Sequence, residues 1–234
     1  MAARRPVNGR QIRSRKPRRA VLIVFEGAET EPRYFDELTR TLGLAATVDV
    51  VIEGNTGYTD PVNLVGAAKQ RRQLRMREAR RSNTLVEFED IWVVFDVEHP
   101  SNGRGPNIDP AVAQALHERI RPAVSKPSFE VRYLLHDRRT PPGLACSADA
   151  KPHLTACLGA NYGKDSATAR AIAQWAMSRT ATAITHGKRQ DVFSGHDTAP
   201  SAHVPASVGT GVYRLVEELV DMSNDLAGKR KLGF

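Results

Sequence analysis

Cysteine and long apolar stretches are both scarce in this sequence of 234 residues. Its two cysteines, Cys146 and Cys157, exclude a disulfide framework and a zinc site built from several cysteines, and we interpret them as ordinary small side chains. No apolar run approaches the roughly 18 residues of a membrane span, and no secretory signal pattern follows the basic N-terminus. We therefore expect a cytoplasmic protein without a membrane partner, with a length that suits one α/β domain.

Acidic residues are missing from the first 20 positions. That segment contains eight of the 34 lysines and arginines, whereas the rest of the chain has 26 charges of each sign. The whole net charge of +8 therefore lies in residues 1–19, a segment with too little apolar content to form a core. We predict a flexible basic arm that attracts polyanions. Its candidate nucleic-acid-binding residues are Arg13, Arg15, Lys16, Arg18 and Arg19.

A second basic segment lies in a predicted helix that starts after the N-cap Asp60 and runs to Arg81. It contains seven basic residues and one acid, Glu78. Two interpretations remain open, a solvated helix face and a strip that contacts phosphates. For the second, the candidate contacts are Arg71, Arg72 and Arg75.

Strands alternate with helices over the first part of the chain. The predicted strands are 20–25, 48–53, 91–95 and, more weakly, 120–124, where Pro122 favours a sheet edge. The predicted helices begin at about Pro32, Asp60 and Asp109. This order implies βαβ units and a parallel sheet.

The alternation ends at His136. The sequence then predicts a helix that is capped by Asp165 or Ser166 and ends near Gly187. A loop over 187–211 and an amphipathic helix from Val212 are predicted to follow. We divide the chain into a 20–136 α/β core, a 137–228 helical C-terminal extension of the same domain and a 229–234 basic tail, in addition to the arm.

Acidic residues follow two of the predicted strands. Glu26 and the pliable Gly27 follow the first strand, and Asp96 and Glu98 follow the third in an extended segment that places both on one side. Ligands of parallel sheets bind at this edge, so neighbouring strands would bring three carboxylates together and imply a bound Mg²⁺ or Mn²⁺. The alternative is that these acids are helix caps or solvated loop residues. His99 could bind a metal or phosphate, or simply be solvated.

Five segments carry a resemblance to a known family. They are 21–35, 91–100, 125–136, 161–165 and 211–219. In these segments the sequence resembles the RloB-like proteins, which implies a Toprim-like α/β core whose site is a glutamate after the first strand and an Asp-x-Asp pair after a later one. Glu26 matches that glutamate and Asp96 the first aspartate. Glu98 stands where the second aspartate is expected and is one methylene longer.

Accessory residues come from two further matched segments. A short helix from Pro127 would place Glu130 in its first turn and His136 at its end, and Lys164 precedes a helix N-terminus, which suits phosphate. The structural alternatives are a favourable helix-dipole contact for Glu130 and an exposed loop position for Lys164.

The resemblance also implies prokaryotic defence, including phage resistance by abortive infection, with nucleic acid as target. We expect an Mg²⁺-dependent nuclease with Glu26, Asp96 and Glu98 as catalytic and metal-binding residues. RNA, and tRNA in particular, is favoured over DNA because translation arrest aborts infection economically. Two alternatives remain. The first is an inactive nucleic-acid-binding or sensor module, which is favoured by Glu98 in place of the expected aspartate. The second is a subunit that binds a partner protein of a defence complex through the last amphipathic helix.

Overall fold

A five-stranded sheet organises the chain in the computed structural model, which describes residues 19–54, 60–98, 105–137, 143–163, 165–190 and 200–234. In chain order the elements are β1 Arg19–Phe25, α1 Thr30–Thr41, β2 Val48–Glu53, α2 Pro61–Arg81, β3 Asp90–Asp96, α3 Gly105–His117, β4 Arg121–Lys126, α4 Glu130–Leu134, α5 Ser147–Leu158, α6 Ser166–Met177, α7 Thr180–Arg189, β5 Gly209–Thr210, α8 Val212–Met222 and α9 Leu226–Lys231. Short 3-10 turns cover Leu44–Ala46 and Pro200–His203.

The sheet has the strand order β2-β1-β3-β4-β5. The first four strands are parallel, and only β5 runs antiparallel, against the end of β4. The predicted α/β class, with a parallel sheet flanked by helices and a mostly helical C-terminal part, is confirmed, and the arrangement is compatible with a Toprim-like core. Because β3 returns to lie beside β1, the two strands that precede the acidic residues are neighbours.

Both faces of the sheet are covered by helices, which explains why β1 is apolar from Ala20 to Phe25. Val21, Ile23 and Phe25 pack into a core with α1, α4 and α8, whereas Leu22 and Val24 pack into a second core with α2 and α3. All five of these side chains are buried. No helix that the structure describes is both long and apolar enough to cross a membrane.

The structure corrects the predicted position of Pro110 and refines that of Pro122. Helix α3 begins at Gly105, so Pro110 lies within it rather than at its start; the helix continues because proline removes only one hydrogen bond there. Strand β4 is internal, yet β5 pairs only with Ser125 and Lys126. Pro122 therefore has β3 on one side alone, and the expected edge position holds locally.

The C-terminal part also differs in detail. The single helix expected to end near Gly187 is divided into α6 and α7 around Ser178, with Asp165 as the N-cap of α6. The expected loop after Gly187 contains β5. Lys229, expected in a basic tail, lies in α9, and Leu232 after it is fully buried.

Arginine side chains connect α2 to the sheet. Arg75 is 4% exposed; its Nε donates to the Val86 carbonyl at 2.7 Å, it forms an ion pair with Asp49, and it lies 5.1 Å from the centre of the Phe88 ring. Arg77, on the same helix, is exposed. The basic helix therefore uses part of its charge to attach itself to β2 and to the segment before β3.

We predict that Arg75→Ala lowers the free energy of unfolding by about 2–3 kcal/mol, because it leaves Asp49 and the Val86 carbonyl without their partner. The matched control Arg77→Ala should change it by less than about 0.5 kcal/mol. Chemical denaturation of both variants measures the difference, and equal stabilities would contradict a structural role for Arg75.

Candidate metal centre

The carboxyl ends of β1 and β3 open into one cleft. Phe25 at the end of β1 is paired with Val94, so both chains leave the sheet at the same edge. Glu26, Asp96 and Glu98 all line this cleft, whose volume is about 190 Å³. The expectation that the two strands are neighbours is confirmed, and the three acidic residues line the same cleft. Their closeness to a shared cation and their roles stay predictions.

Glu31 is a fourth carboxylate of the cleft, which the sequence reasoning did not identify. It lies in the first turn of α1 and is 8% exposed. A Cβ on Gly27 would lie 2.7 Å from its Oε1, so only glycine lets this carboxylate lie against the loop. The sequence signal that could have identified Glu31 was its position, because it is an acid in the first turn of the helix that follows β1.

Glycine also fixes the loop from the other side. Gly54 follows β2, and a Cβ there would lie 2.7 Å from both the Gly27 carbonyl oxygen and Cγ of Pro32. The loop between β1 and α1 thus packs directly on the end of β2. This close approach holds Gly27, and with it the Glu26 backbone, at the sheet edge.

Glu98 reaches the cleft by a different backbone path from the extended one predicted. Its φ of 56° lies in the left-handed region, which is unusual for a residue with a side chain. Its N–H donates to the Pro127 carbonyl at 2.7 Å, and the Val97 N–H donates to Ser125 at 2.8 Å. The continuation of β4 therefore holds Glu98 in place, a pattern found at functional sites.

Glu130 belongs to the same acidic group. It lies in the first turn of α4, is 2% exposed, and receives a hydrogen bond of 3.4 Å from the Tyr162 hydroxyl on Oε1. Its negative charge acts on Asp96. Burial and this coupling favour the interpretation in which Glu130 faces the site over one in which it only complements the helix dipole.

Asp96 is the electrostatic centre of the group. Burial raises its pKa well above the usual range, and the charges of Glu31, Glu130 and Glu26 raise it further, against a hydrogen bond from the Phe129 N–H. Its Oδ1 is buried without a hydrogen-bond partner in the described chain. A buried oxygen among like charges is a position that a cation would stabilise.

The side chains are not set in a closed coordination shell. In the parts of the chain that the structure describes, no three histidine, cysteine or acidic side chains are arranged to hold a metal ion. The backbones bring carboxylates, the ligand type that hard divalent cations prefer, to one cleft, and cation binding there stays a prediction. The donor set, all oxygen, fits Mg²⁺ or Mn²⁺.

Other predicted site residues are placed elsewhere. His136 is 1% exposed and does not line the cleft; burial, followed by the charge of Arg132, lowers its pKa well below the usual range. His99, Lys164 and residues 13–18 of the arm lie outside the described residues.

The remaining candidate nucleic-acid contacts form ion pairs within the chain. Arg19 is the first residue of β1 and pairs with Glu89 and Asp90, so the boundary of the arm shifts to residue 18. Arg71 pairs with Glu53, and Arg72 with Glu118. Arg75 is buried, as described above. Exposed basic residues of α2 lie further along, at Arg77, Arg80 and Arg81.

We predict that Asp96→Asn stabilises the protein when divalent cations are absent. The amide keeps the size of the side chain and an acceptor for the Phe129 N–H but removes the charge that its surroundings disfavour. Since the folded-state pKa of Asp96 is raised, its ionisation at neutral pH reduces stability, and removing it should add about 1 kcal/mol or more, or about 2–4 °C in Tm.

The matched control is Asp221→Asn. Asp221 is exposed near the end of α8. This end of the helix lies far from the cleft, because Glu218 pairs with Arg121 at the start of β4, whereas the cleft lies at the end of that strand. This variant should leave Tm unchanged within about 1 °C. A lower Tm for Asp96→Asn in thermal unfolding monitored by circular dichroism would contradict the repulsion that we assign to the cleft.

Comparison with known proteins identifies a family for this chain. No curated protein and no solved structure matches the chain. The family model described as RloB-like protein matches residues 21–219, a range that includes every carboxylate of the cleft. The chain is therefore a member of the RloB-like protein family.

Proposed function

We propose that this protein is a divalent-cation-dependent nuclease that hydrolyses nucleic-acid phosphodiesters, acting in prokaryotic antiphage defence. One observation carries the proposal: Glu26, Glu31, Asp96 and Glu98 line one cleft at the carboxyl end of a parallel sheet, and a buried Asp96 oxygen there lacks a hydrogen-bond partner in the described chain. Phosphoryl transfer needs little covalent chemistry from a protein and is served by such carboxylate-held cations.

Each carboxylate has a role in this proposal. Asp96, Glu98 and Glu31 would hold Mg²⁺ or Mn²⁺, with Glu130 behind them. A bound cation there supplies charge stabilisation for the phosphoryl group and lowers the pKa of an attacking water. Glu26 follows β1 directly and is half-buried. It would either join the other carboxylates in holding the cation or exchange a proton at the reacting oxygen as general acid or base.

Nucleic acid is the proposed substrate class because the excess positive charge lies in one segment of the chain. Residues 1–18 contain seven lysines and arginines and no acid. Such a segment contacts a phosphate backbone regardless of base sequence. We favour RNA, with tRNA first, over DNA, and a cytoplasmic site of action where those substrates occur. This preference comes from the biology of abortive infection.

The leading alternative is a nucleic-acid-binding or sensor module without catalysis. Glu98 favours this alternative, because it replaces the aspartate expected by resemblance and has a left-handed backbone conformation.

A partner-binding subunit that uses α8 has less support. The apolar residues of α8 are already buried in this chain, namely Val212, Leu215, Val216, Leu219 and Val220.

We predict that Asp96→Asn abolishes cleavage. Removing the charge that a hard cation requires should reduce the Mg²⁺-dependent rate by about 10³-fold or more. Nucleic-acid binding should survive, because losing an acid next to phosphate reduces repulsion. The measurement is cleavage of purified tRNA, mixed RNA and DNA with Mg²⁺, with EDTA and with Asp221→Asn as control.

Three outcomes separate the proposal from its alternative. Wild-type cleavage lost in both EDTA and Asp96→Asn supports the nuclease. Binding without cleavage in wild type under all metal conditions supports the sensor module. Full phage protection by a folded, expressed Asp96→Asn protein would refute catalysis as the basis of defence.

We predict that deleting residues 1–18 weakens nucleic-acid binding and leaves the fold intact. The truncated chain keeps Arg19 and its pair with Asp90. If all seven cations contact a single strand, the slope of log affinity against log salt should fall by up to about 5. Fluorescence anisotropy at several salt concentrations measures this slope, and Tm checks the fold.

The control for the arm is a full-length chain with Arg77, Arg80 and Arg81 replaced by glutamine. These residues are exposed on α2, so their loss tests the helix surface without disturbing its ion pairs. A larger loss of slope in this variant than in the truncation would place the electrostatic contact on α2 and overturn the role of the arm.

A further inference from the structure

A buried hydrogen-bonded ring joins the helices that carry Glu31 and Glu130. Arg132 of α4 is 0% exposed, and its Nε and Nη2 donate to the Tyr34 hydroxyl of α1 at 3.0 and 2.8 Å. The same hydroxyl lies 3.3 Å from Nε2 of His136, whose Nδ1 lies 2.9 Å from the Arg132 carbonyl oxygen. The ring thus closes on itself.

The chemistry of the ring admits one assignment of protons. The Tyr34 oxygen has two lone pairs, and two arginine N–H groups use them, so its own O–H must donate to Nε2 of His136. The other ring nitrogen then carries the proton and donates to the Arg132 carbonyl. Burial, followed by the charge of Arg132, lowers the pKa of His136 well below its usual range, which agrees with the neutral ring of this assignment. Every polar atom of the Tyr34 hydroxyl is satisfied.

Arg132 is unusual as a fully buried cation. In the described chain it has no ion-pair partner, and its Nη1 has no hydrogen-bond partner. Its attachment to Tyr34 is therefore what fixes the direction of the guanidinium, which also lies 5.5 Å from the centre of the Tyr34 ring.

The ring is connected to the acidic cleft through α1. Tyr34 follows Glu31 by three positions, on the same face of that helix. Arg132 follows Glu130 by two positions, so these two side chains leave α4 on different faces. The Tyr133 hydroxyl adds a bond of 3.3 Å to the Thr30 carbonyl, at the first turn of α1. Together these contacts set the position of the first turn of α1 relative to α4.

We propose that Tyr34 and Arg132 are positioning residues that hold α1 and α4, and with them Glu31 and Glu130, in place for a divalent cation. This inference rests on the metal site of the proposed function. Without the Tyr34 oxygen, Arg132 loses the acceptor through which it joins α4 to α1. The first turn of α1, which carries Glu31, would then be held less firmly relative to Glu130, and the affinity for a cation that both carboxylates face would fall.

The test is Mg²⁺ and Mn²⁺ binding to the full chain, by titration calorimetry and by the rise in Tm on adding metal. Tyr34→Phe removes only the oxygen and keeps the ring contacts with Phe129 and Tyr133. It should weaken metal affinity about tenfold or more, as is typical when a group that orients ligands is lost. Cleavage should recover at high metal concentration, so that the metal requirement changes and the maximal rate does not.

Two further variants complete the experiment. Arg132→Lys keeps the charge but loses the planar fork, so it should reproduce the weakened metal affinity. Tyr213→Phe is the matched control, since it removes a half-buried hydroxyl on α8 that lies 3.3 Å from Nε of Arg214, and its metal affinity should equal that of wild type.

The outcomes are distinguishable. If Tyr34→Phe binds metal as tightly as the wild type does, the ring is purely structural and the proposal is overturned. This holds even if the variant has a lower Tm in the absence of metal. A wild-type chain that binds neither cation would refute the metal site of the proposed function and this inference with it. Weakened binding in Tyr34→Phe and Arg132→Lys, with normal binding in Tyr213→Phe, supports it.

Discussion

Repulsion among carboxylates at one sheet edge is the constraint on which the rest of this structure depends. Glu26, Glu31, Asp96 and Glu98 line the cleft, and Glu130 acts on Asp96 from α4. A fold that brings these charges together loses stability at this edge, so other parts of the molecule must hold it. The buried residues 20–25 of β1 and the apolar cores on both faces of the sheet provide that stability.

Cationic side chains are distributed to meet the same constraint. At the far edge of the sheet, Arg19 and Arg121 both pair with the nearly buried Asp90 and attach the starts of β1, β3 and β4 to each other. On α2, Arg71, Arg72 and Arg75 are ion-paired with residues of other elements. These arginines stabilise the fold, so the proposed attraction of polyanions rests on residues 1–18 and on the exposed end of α2.

The candidate site was predictable where its residues follow strands directly. Glu26 and Asp96 could be identified because a short β-branched run ends just before each of them. Glu31 was missed because an acid in the first turn of a helix is also what the helix dipole favours, so its type gave no separate signal. Glu98 lines the cleft as expected, although through a left-handed backbone held by the Pro127 carbonyl.

Local features of this protein follow from its sequence alone: the apolar strands, the N-cap Asp60, a helix start at Asp165 or Ser166, and the position of the excess charge in the first 19 residues. These features depend on neighbours within a few residues, where residue type is decisive. The three-dimensional fold was needed to show that β3 lies beside β1, that Glu130 acts on Asp96, and that Arg75 and Arg132 are buried. Those contacts join positions tens of residues apart, and their partners are selected by strand order and packing, which no local pattern encodes.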